Sequence, residues 1–181
     1  GSSANAPGEG EKKTTATVNT TLGATGGTGV KVTGAAYNDI TVSLNDSSAK
    51  DASKAVISGT GVDIVGGVAE GTTTVNVNQS NLQVADTKQL INVADNTAGA
   101  VNINVNQNVE LIEAGNLINV GVITGTTTVD INKDITMTGS GNIVYAGAIA
   151  SGSLNVNLNV KGDTGLNVAA DKTALDLSDV A

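Results

Sequence analysis

Residues 103–125 read INVNQNVELIEAGNLINVGVITG and residues 129–151 read VDINKDITMTGSGNIVYAGAIAS; laid over each other at a constant offset of 26 they match in character without a gap. Ile103 falls on Val129, Val105 on Ile131, Val109 on Ile135, Leu111 on Met137 and Leu117 on Ile143. Gly115 meets Gly141, Asn116 meets Asn142 and Gly121 meets Gly147. Shared apolar positions alone would report a repeated polarity pattern. Shared glycine and asparagine report a repeated backbone path, because these residues mark places where a chain turns or takes positive φ.

Looser copies lie on both sides of this pair. Residues 72–99, TTTVNVNQSNLQVADTKQLINVADNTAG, align with the next unit at offsets of 27 to 28. Residues 153–171, SLNVNLNVKGDTGLNVAAD, open at an offset of 27 and then read as losing a few residues. Upstream, TTATVNTTLG at 14–23 and DITVSLNDSS at 39–48 share the opening strand at an offset of 26. The unit at 39–71 carries an insertion, SSAKDASKA at 47–55, read as a surface excursion and as the best candidate for a short helix. About six units result.

Each unit opens with strict alternation, the mark of a half-buried strand. In Thr72 to Asn78 the inward set is Thr73, Val75 and Val77, and Thr72, Thr74, Asn76 and Asn78 point outward. Two shorter apolar bursts follow, Leu82/Val84 and Leu90/Ile91/Val93, which makes three strands per unit. A three-strand unit of this length is the size of one coil of a β-solenoid, whose coils stack about 4.8 Å apart. The expectation is an all-β fold, a parallel β-solenoid of about six coils. An antiparallel β-sandwich is the alternative, since regularly spaced strands with turn signals alternate in the same way. Glycines kept every 26 residues favour the solenoid.

Composition agrees with thin aliphatic layers. Apolar residues make up 39% of the chain, yet Tyr37 and Tyr145 are the whole aromatic complement. A core without rings has to be filled by Val, Ile, Leu and Ala. Cysteine and histidine are absent, which removes thiolate and imidazole chemistry and most zinc, haem and triad arrangements. No cofactor is expected. All nine basic residues are lysine and the net charge is −8, so with no base-stacking aromatics nucleic acid is not an expected partner. No apolar run approaches the roughly 18 residues of a membrane span, and no charged-then-apolar leader is present. Residues 1–13, opening on a tag-like Gly1-Ser2-Ser3 and holding the single proline, Pro7, read as a flexible tail; residues 14–181 read as a single β-repeat domain.

Stacked in register, the first strands would present a grid of small neutral hydrogen-bonding residues. Its expected interaction face comprises Thr72, Thr74, Asn76, Asn102, Asn104, Thr126, Thr128, Asn155 and Asn157. Such a face could bind a repetitive polysaccharide, stack on another sheet or order water. It could equally do nothing beyond stabilising the stack, since Asn and Thr ladders bond to their own neighbours above and below. An ice-binding grid is a distant alternative, because Asn replaces Thr in half the rows.

Other motifs carry less. Asp130, Asp134, Glu110, Glu113, Asp163, Asp171, Asp176 and Asp179 form no calcium-loop pattern and read as solvated charge. The cluster Gly23 to Gly27 lacks the Lys-Ser/Thr ending of a phosphate loop and reads as a turn. Three sequons, at Asn19, Asn45 and Asn78, are the chance yield of an Asn- and Thr-rich chain. A glycosidase would need a deep cleft and aromatic sugar platforms, neither of which is suggested.

In segments such as VNVNQ (75–79), NLINV (116–120) and GTTTV (71–75 and 125–129), and in its Thr/Asn/Val/Gly bias, the chain resembles secreted microbial surface proteins: surface-layer subunits, adhesin stalks and biofilm fibres. The resemblance implies an extracellular, cell-surface structural module, not an enzyme, that self-associates into a stalk, fibre or layer. The alternative is an adhesin module whose Thr/Asn face binds polysaccharide or a host surface.

Overall fold

Alternating Val, Ile and Leu with Thr and Asn leave the chain one economical way to hide its apolar half, which is to pair strands side by side with one face inward. The computed structural model describes residues 13–18, 26–33, 39–45, 55–65, 70–80, 82–85, 88–94, 99–112, 115–160, 165–170 and 173–179. The first pass holds β1 (Lys13–Val18) and β2 (Thr28–Thr33); the second holds β3 (Asp39–Asn45), β4 (Ala55–Ile57) and β5 (Thr60–Val65). The third holds β6 (Thr72–Asn78), β7 (Leu82–Val84) and β8 (Ile91–Val93); the fourth β9 (Ala100–Val105), β10 (Val109–Leu111) and β11 (Ile118–Val120). The fifth holds β12 (Thr126–Ile131), β13 (Ile135–Met137) and β14 (Val144–Ala146); the last β15 (Ser153–Leu158), β16 (Leu166–Val168) and β17 (Leu175–Asp176).

Equivalent strands of successive passes pair with one another, and all the pairings are parallel. Three sheets result. Sheet A runs β1-β3-β6-β9-β12-β15, sheet B runs β16-β13-β10-β7-β4, and sheet C runs β17-β14-β11-β8-β5-β2. This is a parallel β-solenoid, and the antiparallel sandwich is excluded. Among the described residues every strand from β3 to β14 has a neighbour on both sides except β4, which ends sheet B; these four passes lie between the terminal passes β1–β2 and β15–β17. The described residues contain no helix.

The register is the repeat read as geometry. Ile103 lies beside Val129 and Val105 beside Ile131; Val109 lies beside Ile135 and Leu111 beside Met137. One alignment from the sequence needs correction. Leu166 pairs with Ile135 and Leu175 with Val144, an offset of 31, so the last pass gains four residues after Leu158 where the sequence reads as losing some. The third-from-last register, Leu158 beside Ile131, is still at 27. The extra residues fall between β15 of sheet A and β16 of sheet B, and both strands keep their ladders.

The insertion likewise falls between two strands, β3 and β4. Ten positions separate Asn45 from Ala55, against four between their neighbours Asn78 and Leu82, and the strands on either side stay in register. Residues 46–54 and the tail at 1–12 lie outside the described residues, so the expected short helix is placed only at Ala55, which opens strand β4 instead. Lys13, assigned to the tail by sequence, is the first residue of β1.

Inside, each ladder position becomes a column of like side chains. Val42, Val75, Ile103 and Val129 are fully buried on sheet A, Ile57, Val84, Leu111 and Met137 on sheet B, and Val62, Ile91, Ile118 and Val144 on sheet C. Leu90, Leu117 and Ile143 fill one corner. Burying each such side chain contributes roughly 1.5–3 kcal/mol before entropy is counted. The stack is thus held by nearest-neighbour contacts between identical layers.

One column breaks the pattern. Ile40, Thr73 and Val101 follow one another inward on sheet A, and the Thr73 Oγ1 is buried with no hydrogen-bond partner. An unsatisfied buried hydroxyl costs about 1–3 kcal/mol, and valine has almost the same shape. Thr73→Val is therefore expected to stabilise the protein by about 1 kcal/mol, read as a higher urea midpoint with an unchanged slope. A lower midpoint would show that the hydroxyl contributes to the fold.

Candidate functional site

Period-two alternation puts every second residue of sheet A on its outer face, and parallel in-register pairing lines those residues up across coils. All nine residues of the expected face come together there. Thr72 and Thr126 flank Ala100; Thr74, Asn102, Thr128 and Asn155 form a second row; Asn76, Asn104 and Asn157 share a third with Asp130. Rows stand about 4.8 Å apart between strands and about 6.6 Å apart along them. Thr126, Asn155 and Asn157 are exposed, and the other six are half-buried between their neighbours.

Much of the hydrogen-bonding capacity of this face is spent within the stack. In the third row the Asn104 Nδ2 donates to Asn76 Oδ1 at 2.9 Å, Asn76 Nδ2 to Ser43 Oγ at 3.4 Å, and Asn157 Nδ2 to Asp130 Oδ1 at 2.8 Å. The row at the strand ends is a continuous asparagine ladder. Asn78 donates to Asn45, Asn106 to Asn78 and Asn132 to Asn106, each at 2.9 Å, and Asn159 donates to Asn132 at 3.4 Å. An amide has two N–H donors and two acceptor lone pairs, so each interior member spends one of each on the ladder.

Sheet C carries a second ladder that the sequence did not single out. Lys31, Asp63, Asn92, Asn119, Tyr145 and Asp176 occupy one column. Asn119 Nδ2 donates to Asn92 Oδ1 at 2.8 Å and Asn92 Nδ2 to Asp63 Oδ1 at 2.8 Å. The recurring INV of 91–93 and 118–120 was the available signal. At the end of this column the Tyr145 hydroxyl donates to Asp179 Oδ2, and that carboxylate holds the phenol above its usual pKa.

The carboxylates do not converge. Among the described residues no group of three or more acidic side chains could hold a metal ion. Glu110 accepts from Gln83 Nε2 at 2.9 Å and Asp130 from Asn157. Asp134 departs from the expected solvated role, because it sits buried at the corner before β13, where its backbone carbonyl accepts from Val109 N at 3.2 Å. Glu113, Asp163 and Asp171 lie outside the described residues, as does the sequon at Asn19. The other two sequons are opposed by geometry: the Asn78 Nδ2 that a glycan would have to occupy is bonded to Asn45, itself half-buried in the ladder.

The two ends of the solenoid are sites the grid did not anticipate. Leu158, Leu166 and Leu177 are about two-fifths exposed, three of the five large apolar side chains so exposed among the described residues, and all belong to the last pass. Leu158 and Leu166 continue the inward columns of Ile131 and Ile135. Among the described residues strands β15, β16 and β17 each pair on one side only, as do β1, β4 and β2 at the other end of the three sheets.

No family model, curated protein or solved structure gives a significant match to the chain.

Proposed function

We propose that this protein is an extracellular structural module, without catalytic activity, that associates with copies of itself into a stalk, fibre or layer. The observation carrying this reading is the two ends of the stack, whose strands pair on one side only among the described residues. Unpaired strand edges are templates for further pairing, and proteins that stay apart blunt them with charge, proline or a covering helix. At the described C-terminal end the edge is instead accompanied by exposed Leu158, Leu166 and Leu177. Repeat arrays ordinarily need a polar cap at each terminus to remain separate. The absence of histidine and cysteine from the sequence fits a mechanical more than a chemical role, and the compositional likeness to microbial surface proteins fits an extracellular one.

The test is a concentration series followed by size-exclusion chromatography and electron microscopy. Particle length is expected to grow with concentration in steps of one solenoid. A protein that stays monomeric to millimolar concentration would overturn the reading. The second reading, an adhesin that grips polysaccharide through the outer face of sheet A, is favoured by the amide and hydroxyl groups gathered there, and a glycan array separates it from the first.

A further inference from the structure

The asparagine Nδ2 links between coils point the same way, while Gln83 Nε2 donates the opposite way, to Glu110 on the following coil. The Nδ2 groups of Asn78, Asn106, Asn132 and Asn159 donate toward the N-terminal neighbour, and so do those of Asn104 and Asn119 in the other rows. The ladders are therefore polar. On sheet A their C-terminal end offers the carbonyl oxygens of Asn157 and Asn159, and on sheet C the last pass carries the carboxylate of Asp176. The N-terminal edge of sheet C offers Lys31, exposed at the head of the column that Asp176 ends.

Resting on the self-association proposed above, we infer that copies dock head to tail in a single polarity, the N-terminal edge of one solenoid on the C-terminal edge of the next, in the register used between coils. The occupant of the open end is thus a second copy of this chain. Continuing the columns sets β1 on β15, with Thr15 over Asn155 and Thr17 over Asn157, and β2 on β17, with Lys31 over Asp176. That places a lysine beside an aspartate, the neighbour relation that Lys31 and Asp63 already have within the chain. In the same register Val18 falls over Leu158 and Val30 over Leu175, so two partly buried valines of the first pass would cover apolar side chains at the end of the last. Docking of two like ends would set acceptor against acceptor and carboxylate against carboxylate. A head-to-tail contact of this kind is heterologous, so it propagates into a filament and does not close into a dimer.

Charge exchange tests both polarity and register. Lys31→Asp alone and Asp176→Lys alone each juxtapose like charges at the junction, and each is expected to raise the concentration needed for assembly by at least about tenfold, since like charges across an interface cost several kcal/mol. The doubly exchanged protein, and an equimolar mixture of the two single variants, should assemble as the parent does, because each restores an opposite pair at every junction. Circular dichroism and the urea midpoint of each variant establish that it is folded. If the parent assembles but neither the double variant nor the mixture recovers, the register is wrong while self-association stands. If the parent itself stays monomeric, both proposals fall. Particles that stop at dimers would overturn the head-to-tail polarity.

Discussion

Ile103→Asp is expected to unfold the central coils, whereas Asn102→Asp, one residue away, is expected to change stability by less than about 1 kcal/mol. Ile103 is fully buried between Val75 and Val129, its in-register neighbours on the coils below and above. A carboxylate there would be surrounded by aliphatic groups with no cation or donor, a burial that costs several kcal/mol even after the group takes up a proton. Because coils are held by contacts with their neighbours, the loss at one layer weakens two interfaces at once. Asn102 points out of sheet A between Thr74 and Thr128, where a new charge stays half in water. Far-UV circular dichroism with a urea titration reads the difference. Similar costs for the two substitutions would contradict the alternation on which the fold depends.

Gly59→Ala is the second large effect, expected to cost about 3 kcal/mol. A Cβ on Gly59 would lie 2.0 Å from the carbonyl oxygen of Gly27 and 2.7 Å from its nitrogen. Both atoms are backbone, and they are held by the bond that Thr60 N donates to the Gly27 carbonyl at 2.8 Å, so neither can swing aside as a side-chain tip would. Overpacking of this kind costs 1–3 kcal/mol and more where backbone must move. The reciprocal change, Gly27→Ala, meets nothing within 4 Å and is expected to stay within about 0.5 kcal/mol of the parent. The same contact thus predicts opposite outcomes at its two ends, and thermal melts of both variants check it. The same crowding recurs where Gly152 stacks on Gly125, with a hypothetical Cβ at 1.7 Å from the lower carbonyl.

Which residues of the candidate face stand together followed directly from counting. A side-chain period of two along Thr72 to Asn78, and an offset of 26 between Ile103 and Val129, are enough to place Thr74, Asn102 and Thr128 in one row once strands stack in register. The burial of Asp134 was not legible in the same way. It precedes β13 at a corner, where the strand rule does not apply and the path of neighbouring corners decides exposure. Nor was the four-residue gain after Leu158 readable, because a polar, glycine-bearing loop has no periodicity to count.

By itself the sequence determined that this chain is built of strands, which side chains turn inward, and that one backbone path recurs; these are local properties, set by alternation and by the glycines and asparagines that repeat with it. The tertiary structure settled the expected parallel solenoid against the sandwich, and it alone decided that Gly59 and Gly152 sit too close to the backbone of the coil before to admit a Cβ and that the asparagine ladders point one way. Those outcomes depend on what lies one coil above and below, some 26 to 33 residues distant along the chain, and no local pattern specifies the direction in which a neighbouring amide turns.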